Sequence, residues 1–123
     1  KIIEMEIKKT GKLFSFCCAA PAIIKNKSLK EIKFFEEIGL SIGLLFQIAD
    51  DLIDFKGDSK KAGKKTGKDE KKGKATLINL IGYRNAVEYC DKIIFEIKKN
   101  LKKYGKNSNE ITETLNYILN RDK

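Results

Sequence analysis

The stretch IGLSIGLLFQIA, residues 38–49, constrains the fold of this chain more than any other. It is apolar nearly all round, as expected of a helix buried among other helices. Gly39 and Gly43 lie four apart, and so on one helix face, which lets a neighbouring helix approach closely there. A single proline in 123 residues permits long helices, and a 41% hydrophobic content is enough for a packed core. No alternating strand pattern and no internal repeat occur. The chain reads as all-α, one domain or a piece of a larger one. No run reaches the roughly 18 uninterrupted apolar residues of a membrane span.

The helices can be placed from their periods and caps. Ile3, Ile7, Leu13, Phe14, Cys17 and Cys18 recur at spacings near three and four, predicting a helix from Ile2 to about Lys25. Gly11 lies inside it, and Pro21 marks a kink or the approach to its end. Ser28-Leu-Lys-Glu31 fits a capping box opening a second helix, expected to run from Leu29 to about Phe55. Residues 56–75 have no apolar period and contain four glycines, so they read as a long loop, ordered by itself or by a ligand. Helix resumes near Thr76, breaks at Gly82, and continues from about Arg84 to Lys103 with Ala86, Val87, Ile93, Ile94, Ile97 and Leu101 as its stripe. Gly105 is a candidate carboxy-terminal cap. Asn107 or Ser108 restarts a last helix with Ile111, Leu115, Ile118 and Leu119 on its apolar face.

Charge and cysteine usage narrow the chemistry. The net charge is +9, and the excess is local: residues 56–74 hold nine lysines against three acids. Such a balance calls for an anionic partner. A nucleic-acid binder usually spreads its charge along a face and uses arginine, whereas only Arg84 and Arg121 are present here. Cys17, Cys18 and Cys90 have no metal spacing and imply no disulfide framework, so they read as free thiols in a reducing cytosol. The absence of histidine excludes histidine-based catalysis and the usual zinc sites.

Asp50, Asp51 and Asp54 form D-D-x-x-D on the last turns of the long helix. Positions 50 and 54 stand one above the other, and 51 sits roughly 100° round. Carboxylates gathered at the end of an apolar helix repel one another and are costly to desolvate, unless they hold a hard divalent cation. Mg²⁺ takes one or two protein carboxylates, with phosphate oxygens and waters completing its octahedron. The lysines of the following loop suit phosphate, and its glycines let backbone amides approach it. The plainer readings are a solvated acidic helix end and a lysine-rich linker. Lys9-Thr10-Gly11 alone carries no signal. Phe46 would be core by default, and Gln47 a buried polar group needing a partner.

Taken together in order, these motifs resemble the carboxy-terminal half of the trans-isoprenyl diphosphate synthases, the polyprenyl synthetase family. Lys9-Thr10-Gly11 is similar to its K-T motif, GLLFQIADDLID to its second aspartate-rich motif, GKKTGKDEKKGKATL (63–77) to its glycine–lysine loop, and YILNRDK to its basic terminus. Ile78 stands where the family often has proline. The resemblance implies an all-α helical bundle around a deep cavity, usually homodimeric and here cytoplasmic. It makes this chain the carboxy-terminal portion of one such domain, without the half that carries the first aspartate-rich motif. It assigns Asp50, Asp51 and Asp54 to Mg²⁺, bridging to an allylic diphosphate. Lys9, Lys64 and Lys74 would contact that diphosphate. Thr10 and Gln47 would face the reacting carbons and stabilise an allylic cation, and Phe46 would pack near isopentenyl diphosphate.

The implied reaction suits a chain without histidine. Metal and lysines stabilise a departing diphosphate, the double bond of isopentenyl diphosphate attacks the cation, and the released diphosphate serves as base. The product would be farnesyl or geranylgeranyl diphosphate. Rival readings are a non-catalytic or regulatory member, a diphosphate-binding fragment without turnover, a terpene cyclase of the same fold and, far behind, a basic nucleic-acid-binding module.

Overall fold

The computed structural model describes residues 1–62 and 76–121, and every regular element among them is helical. The first helix is built in three pieces: α1 (Ile2–Glu6), a π-helical turn (Ile7–Gly11) and α2 (Lys12–Ile24). Pro21 lies in the last turn of α2, one turn before the chain leaves the helix. Asn26, at φ 51°, makes the reversal; asparagine is among the few residues that tolerate the left-handed region. The Ser28 hydroxyl then accepts from the Glu31 amide at 3.2 Å, the serine half of the expected capping box.

The next helix, α3 (Leu29–Ala62), has 34 residues and a length of about 51 Å. It overruns the expected end near Phe55 by two turns, so residues 56–62 are helix rather than loop. An apolar period is not required of a solvated helical end, and the lysines there are fair helix formers. Gly57 within it is not required by packing, since nothing lies within 4 Å of the place a Cβ would occupy. The rest of the expected loop, 63–75, lies outside the described residues.

Thr76 caps the short α4 (Leu77–Ile81), its hydroxyl accepting from the Asn79 amide at 3.3 Å. Gly82, at φ 85°, supplies the break read from the sequence. It is followed by α5 (Tyr83–Leu101), a tight turn of 3₁₀ character (Lys102–Ser108) around Gly105 at φ 55°, and α6 (Asn109–Asn120).

All the other helices touch α3. Leu45, Ile48 and Ala49 on α3, Ala86, Cys90, Ile97 and Leu101 on α5, and Leu115 on α6 form one buried core. Each fully buried Leu or Ile there contributes about 1.5–3 kcal/mol over an exposed one. The stripes expected for α5 and α6 face this core, with Cys90 as a further member. One apolar flank of α2 stays open: Leu13, Phe16 and Ile24 are all exposed.

Candidate active site

The site is positioned by the crossing of the first helix over α3. A Cβ at Gly39 would stand 2.5 Å from the Phe14 carbonyl oxygen and 2.5 Å from the Ser15 Cα. A Cβ at Gly43 would stand 2.7 Å from the Cα of Gly11. Two backbones therefore touch where the glycine spacing predicted a close approach. The helices run antiparallel, so each step back along the first helix meets a step forward along α3. Beyond Gly11 and Gly43, Thr10 donates its hydroxyl hydrogen to Gln47 Oε1 at 3.1 Å. This is a partner of the kind expected for the glutamine, which is part-buried. One turn further, Glu6 meets Asp51. The π turn lies between these two contacts, holding Lys9 and Thr10; such turns are frequent at functional sites.

Two of the three aspartates of the motif line a shared cavity, and the third is paired with an arginine. Asp51 and Asp54 border one cavity of about 230 Å³, with Asp58, Thr76 and Asn79 on its wall. Positions 51, 54 and 58 follow the three- and four-residue spacing of one helix face, which exists only because α3 continues past Phe55. Asp50 instead receives the Arg121 Nη2 at 3.3 Å. Arg121 is only 12% exposed in its side chain, and its guanidinium also lies 4.3 Å from the Phe46 ring centroid. Phe46 packs in turn on Phe14, ring centroids 5.5 Å apart. Among the described residues no three acidic or other ligating groups gather tightly enough to hold a metal. Asp51 and Asp54, two of the three carboxylates on that cavity, still fit Mg²⁺, which commonly takes one or two from protein. All the donors there are hard oxygens.

Glu6 was not singled out in the sequence, and among the described residues it is the one charged side chain in the buried set, at 3% exposure. Burial is the main cause pushing its pKa up to about 7, followed by the charge of Asp51 and a hydrogen bond to it; Lys9 pulls the other way. Its Oε2 is buried without a hydrogen-bond partner. The signal that could have found it is its register: Glu6 stands four before Thr10, on the face that Thr10 and Gly11 turn toward α3.

Lys9 is exposed, close enough for its charge to act on Glu6. Lys64 and Lys74 lie outside the described residues. Thr76, where the chain returns from that loop motif, shares the cavity of Asp51 and Asp54, so the end of the motif reaches the aspartates.

The family described as polyprenyl synthetase matches residues 1–118. Geranylgeranyl pyrophosphate synthase 4 of Arabidopsis thaliana is 31% identical over 121 residues, covering 96% of this chain and 32% of that protein. Farnesyl diphosphate synthase of Micrococcus luteus is 29% identical over 120 residues, 98% of this chain and 41% of that protein. A short chain isoprenyl diphosphate synthase of Methanocaldococcus jannaschii is 36% identical over 102 residues, 81% of this chain and 31% of that protein. The chain spans between 31% and 41% of the length of these relatives.

Proposed function

This chain belongs to the polyprenyl synthetase family, and from that premise we propose that the whole protein is a Mg²⁺-dependent prenyltransferase. It condenses an allylic diphosphate with isopentenyl diphosphate to give farnesyl or geranylgeranyl diphosphate. The observation that carries the reading is the helix crossing, which sets the Thr10–Gln47 pair one turn from Asp51.

Asp51 and Asp54 would hold Mg²⁺ from their shared cavity, with Asp50 as a further candidate ligand. Bound there, the ion supplies charge stabilisation for the departing diphosphate. Lys9, and Lys64 and Lys74 from the loop, contact that diphosphate as point charges. Thr10 spends its hydroxyl hydrogen on Gln47, which leaves the oxygen lone pairs free to face a developing allylic cation. Gln47 is held by the same bond, so neither dipole must reorganise as charge appears. Phe46 packs beside the incoming isopentenyl diphosphate, and the apolar residues around it keep water from the cation. No side-chain nucleophile takes part, which suits a chain without histidine.

We further infer a homodimer working in the cytoplasm. The exposed Leu13, Phe16 and Ile24 supply apolar surface for burial by more protein. No described helix is long and apolar enough to cross a membrane.

The test is to incubate the intact protein with dimethylallyl and isopentenyl diphosphates and Mg²⁺, and to identify the products by mass spectrometry. Chain elongation is expected, and it should fall steeply in Asp50→Ala and Asp51→Ala. Binding of diphosphate without elongation would contradict the reading and favour a non-catalytic member.

A further inference from the structure

A cavity of about 710 Å³ has no part in the roles set out above. It lies where the second half of α3, the first half of α5 and the end of α6 meet, and none of its described lining residues borders the cavity of Asp51 and Asp54. Its volume is that of a small-molecule pocket, about 300–1,000 Å³. Leu52, Ile53, Val87 and Leu119 make part of its wall apolar. Among the described residues, Lys56, Lys60 and Arg121 supply three cations against one acid, Asp91, which leaves a net charge of +2.

The helices explain how these groups come together. Lys56 and Lys60 stand four apart on one face of α3, in the two turns by which that helix overruns Phe55. Tyr83, Val87 and Asp91 follow the same spacing on α5. Tyr83 stacks on Phe55 with ring centroids 5.6 Å apart, and Lys56 Nζ stands 5.7 Å from the Tyr83 centroid, which steadies the lysine beside the cavity. Arg121 borders the cavity just past the end of α6. Its Nη2 on Asp50 and its plane on the Phe46 ring hold the guanidinium in place. Its Nε is buried and has no hydrogen-bond partner among the described residues, and a buried donor left so is costly. An anionic acceptor in the adjoining cavity would satisfy it.

Fixed cations beside an apolar wall suit a molecule that is anionic at one end and apolar at the other. A phosphate fits the charged end better than a carboxylate, because its second charge matches the net charge of the lining and its oxygens accept from arginine and lysine together. We propose that this cavity binds a soluble phosphate ester with a short apolar body, the phosphate on Lys56, Lys60 and Arg121 and the body on the apolar wall. A walled cavity of this volume takes one small molecule rather than the surface of a membrane. Binding needs no metal ion, and no bond is made or broken.

The probe is hexyl phosphate, titrated into the intact protein by isothermal calorimetry in the presence of EDTA, so that metal-held diphosphate sites take no part. Saturable one-to-one binding is expected. Affinity should rise from ethyl to butyl to hexyl phosphate, by up to about fourfold for each methylene that is fully buried. Lys56→Gln combined with Lys60→Gln should weaken binding by about tenfold, through the loss of two charged contacts. Both positions are exposed and glutamine is a fair helix former, so the fold is kept. Lys9→Gln should leave the affinity unchanged, because Lys9 does not line this cavity. Vesicles of phosphatidylcholine with phosphatidic acid should not carry the protein down on sedimentation.

Absence of binding by the wild type overturns the proposal, as does an affinity independent of chain length. Equal affinity in the double variant also overturns it. A loss in Lys9→Gln as large as in the double variant would place the ester in the catalytic cavity instead, and binding to the vesicles alone would place it on a surface; each defeats the proposal. Should the double variant fail to fold, Lys60→Gln alone decides, weaker binding supporting the site and unchanged binding refuting it. Chain elongation enters none of these readouts, so the catalytic reading and this one are tested separately.

Discussion

Replacing Gly39 by alanine tests the helix crossing on which the whole site depends. A single Cβ is added, and it would stand 2.5 Å from the Phe14 carbonyl oxygen and 2.5 Å from the Ser15 Cα. Ordinary non-bonded contact between carbons needs about 3.5–4.0 Å, so the two helices must separate by about 1 Å or bend. The obstacles are backbone atoms, and no rotamer change can relieve them. Overpacking of this kind costs about 1–3 kcal/mol, and the upper end applies where the neighbour cannot yield. Alanine recovers about 1 kcal/mol of helix propensity over glycine, leaving a net loss of about 2 kcal/mol. At a urea slope of about 2 kcal/mol/M, the unfolding midpoint falls by about 1 M. Gly57→Ala is the control, because its added Cβ meets nothing within 4 Å. It should gain up to about 1 kcal/mol from propensity alone. Urea unfolding followed by circular dichroism reads both variants. If Gly39→Ala is as stable as Gly57→Ala, the close backbone contact is wrong, and the register placing Thr10 on Gln47 falls with it.

Other outcomes follow from single contacts. Thr10→Val keeps the shape but leaves the part-buried Gln47 Oε1 without its donor at 3.1 Å, a loss of about 1 kcal/mol in urea unfolding. In the prenyltransferase reading, steady-state kinetics should show it lowering kcat more than it changes KM for the allylic substrate. Arg121→Lys should be destabilised by about 0.5–1 kcal/mol although the charge is kept, because an ammonium cannot lie flat on Phe46 while reaching Asp50; a urea midpoint equal to wild type would contradict this. Burial first, with the charges of Asp91 and Glu6, pushes the Cys90 thiol from 9.0 up to about 12. Its protonated form is favoured in the fold, so its contribution to stability is complete below pH 9 and declines as pH rises from 9 toward 12. At pH 8 it should resist iodoacetamide until the protein unfolds, as read by mass spectrometry of the labelled peptide.

Much of the fold was legible because its signals are local. The apolar run 38–49 announced a buried helix, the Ser28 cap its start, Gly82 and Gly105 its successors' breaks, and all three behave accordingly. The end of α3 was misplaced because hydrophobic periodicity is silent where a helix leaves the core and runs on in solvent. That error hid Asp58 from the aspartate face. Glu6 escaped notice for another reason. A glutamate beside lysines on an amphipathic helix reads as surface, and only its opposite neighbour shows that it is core.

Sequence alone determined that the chain is helical, that α3 lies at its centre, and that its motifs are those of the polyprenyl synthetases. The first two follow from spacings along one helix, set by 3.6 residues per turn wherever the helix lies, and the third is a resemblance of motifs in their order along the chain. The tertiary structure decided which side chains meet: Thr10 with Gln47, Glu6 with Asp51, and Asp50 with Arg121, 71 positions away. Those pairings depend on the register of one helix against another. Here that register is set by Gly39 against Phe14 and Ser15 and by Gly43 against Gly11, where two backbones come close enough that a Cβ on either of these α3 glycines would not fit.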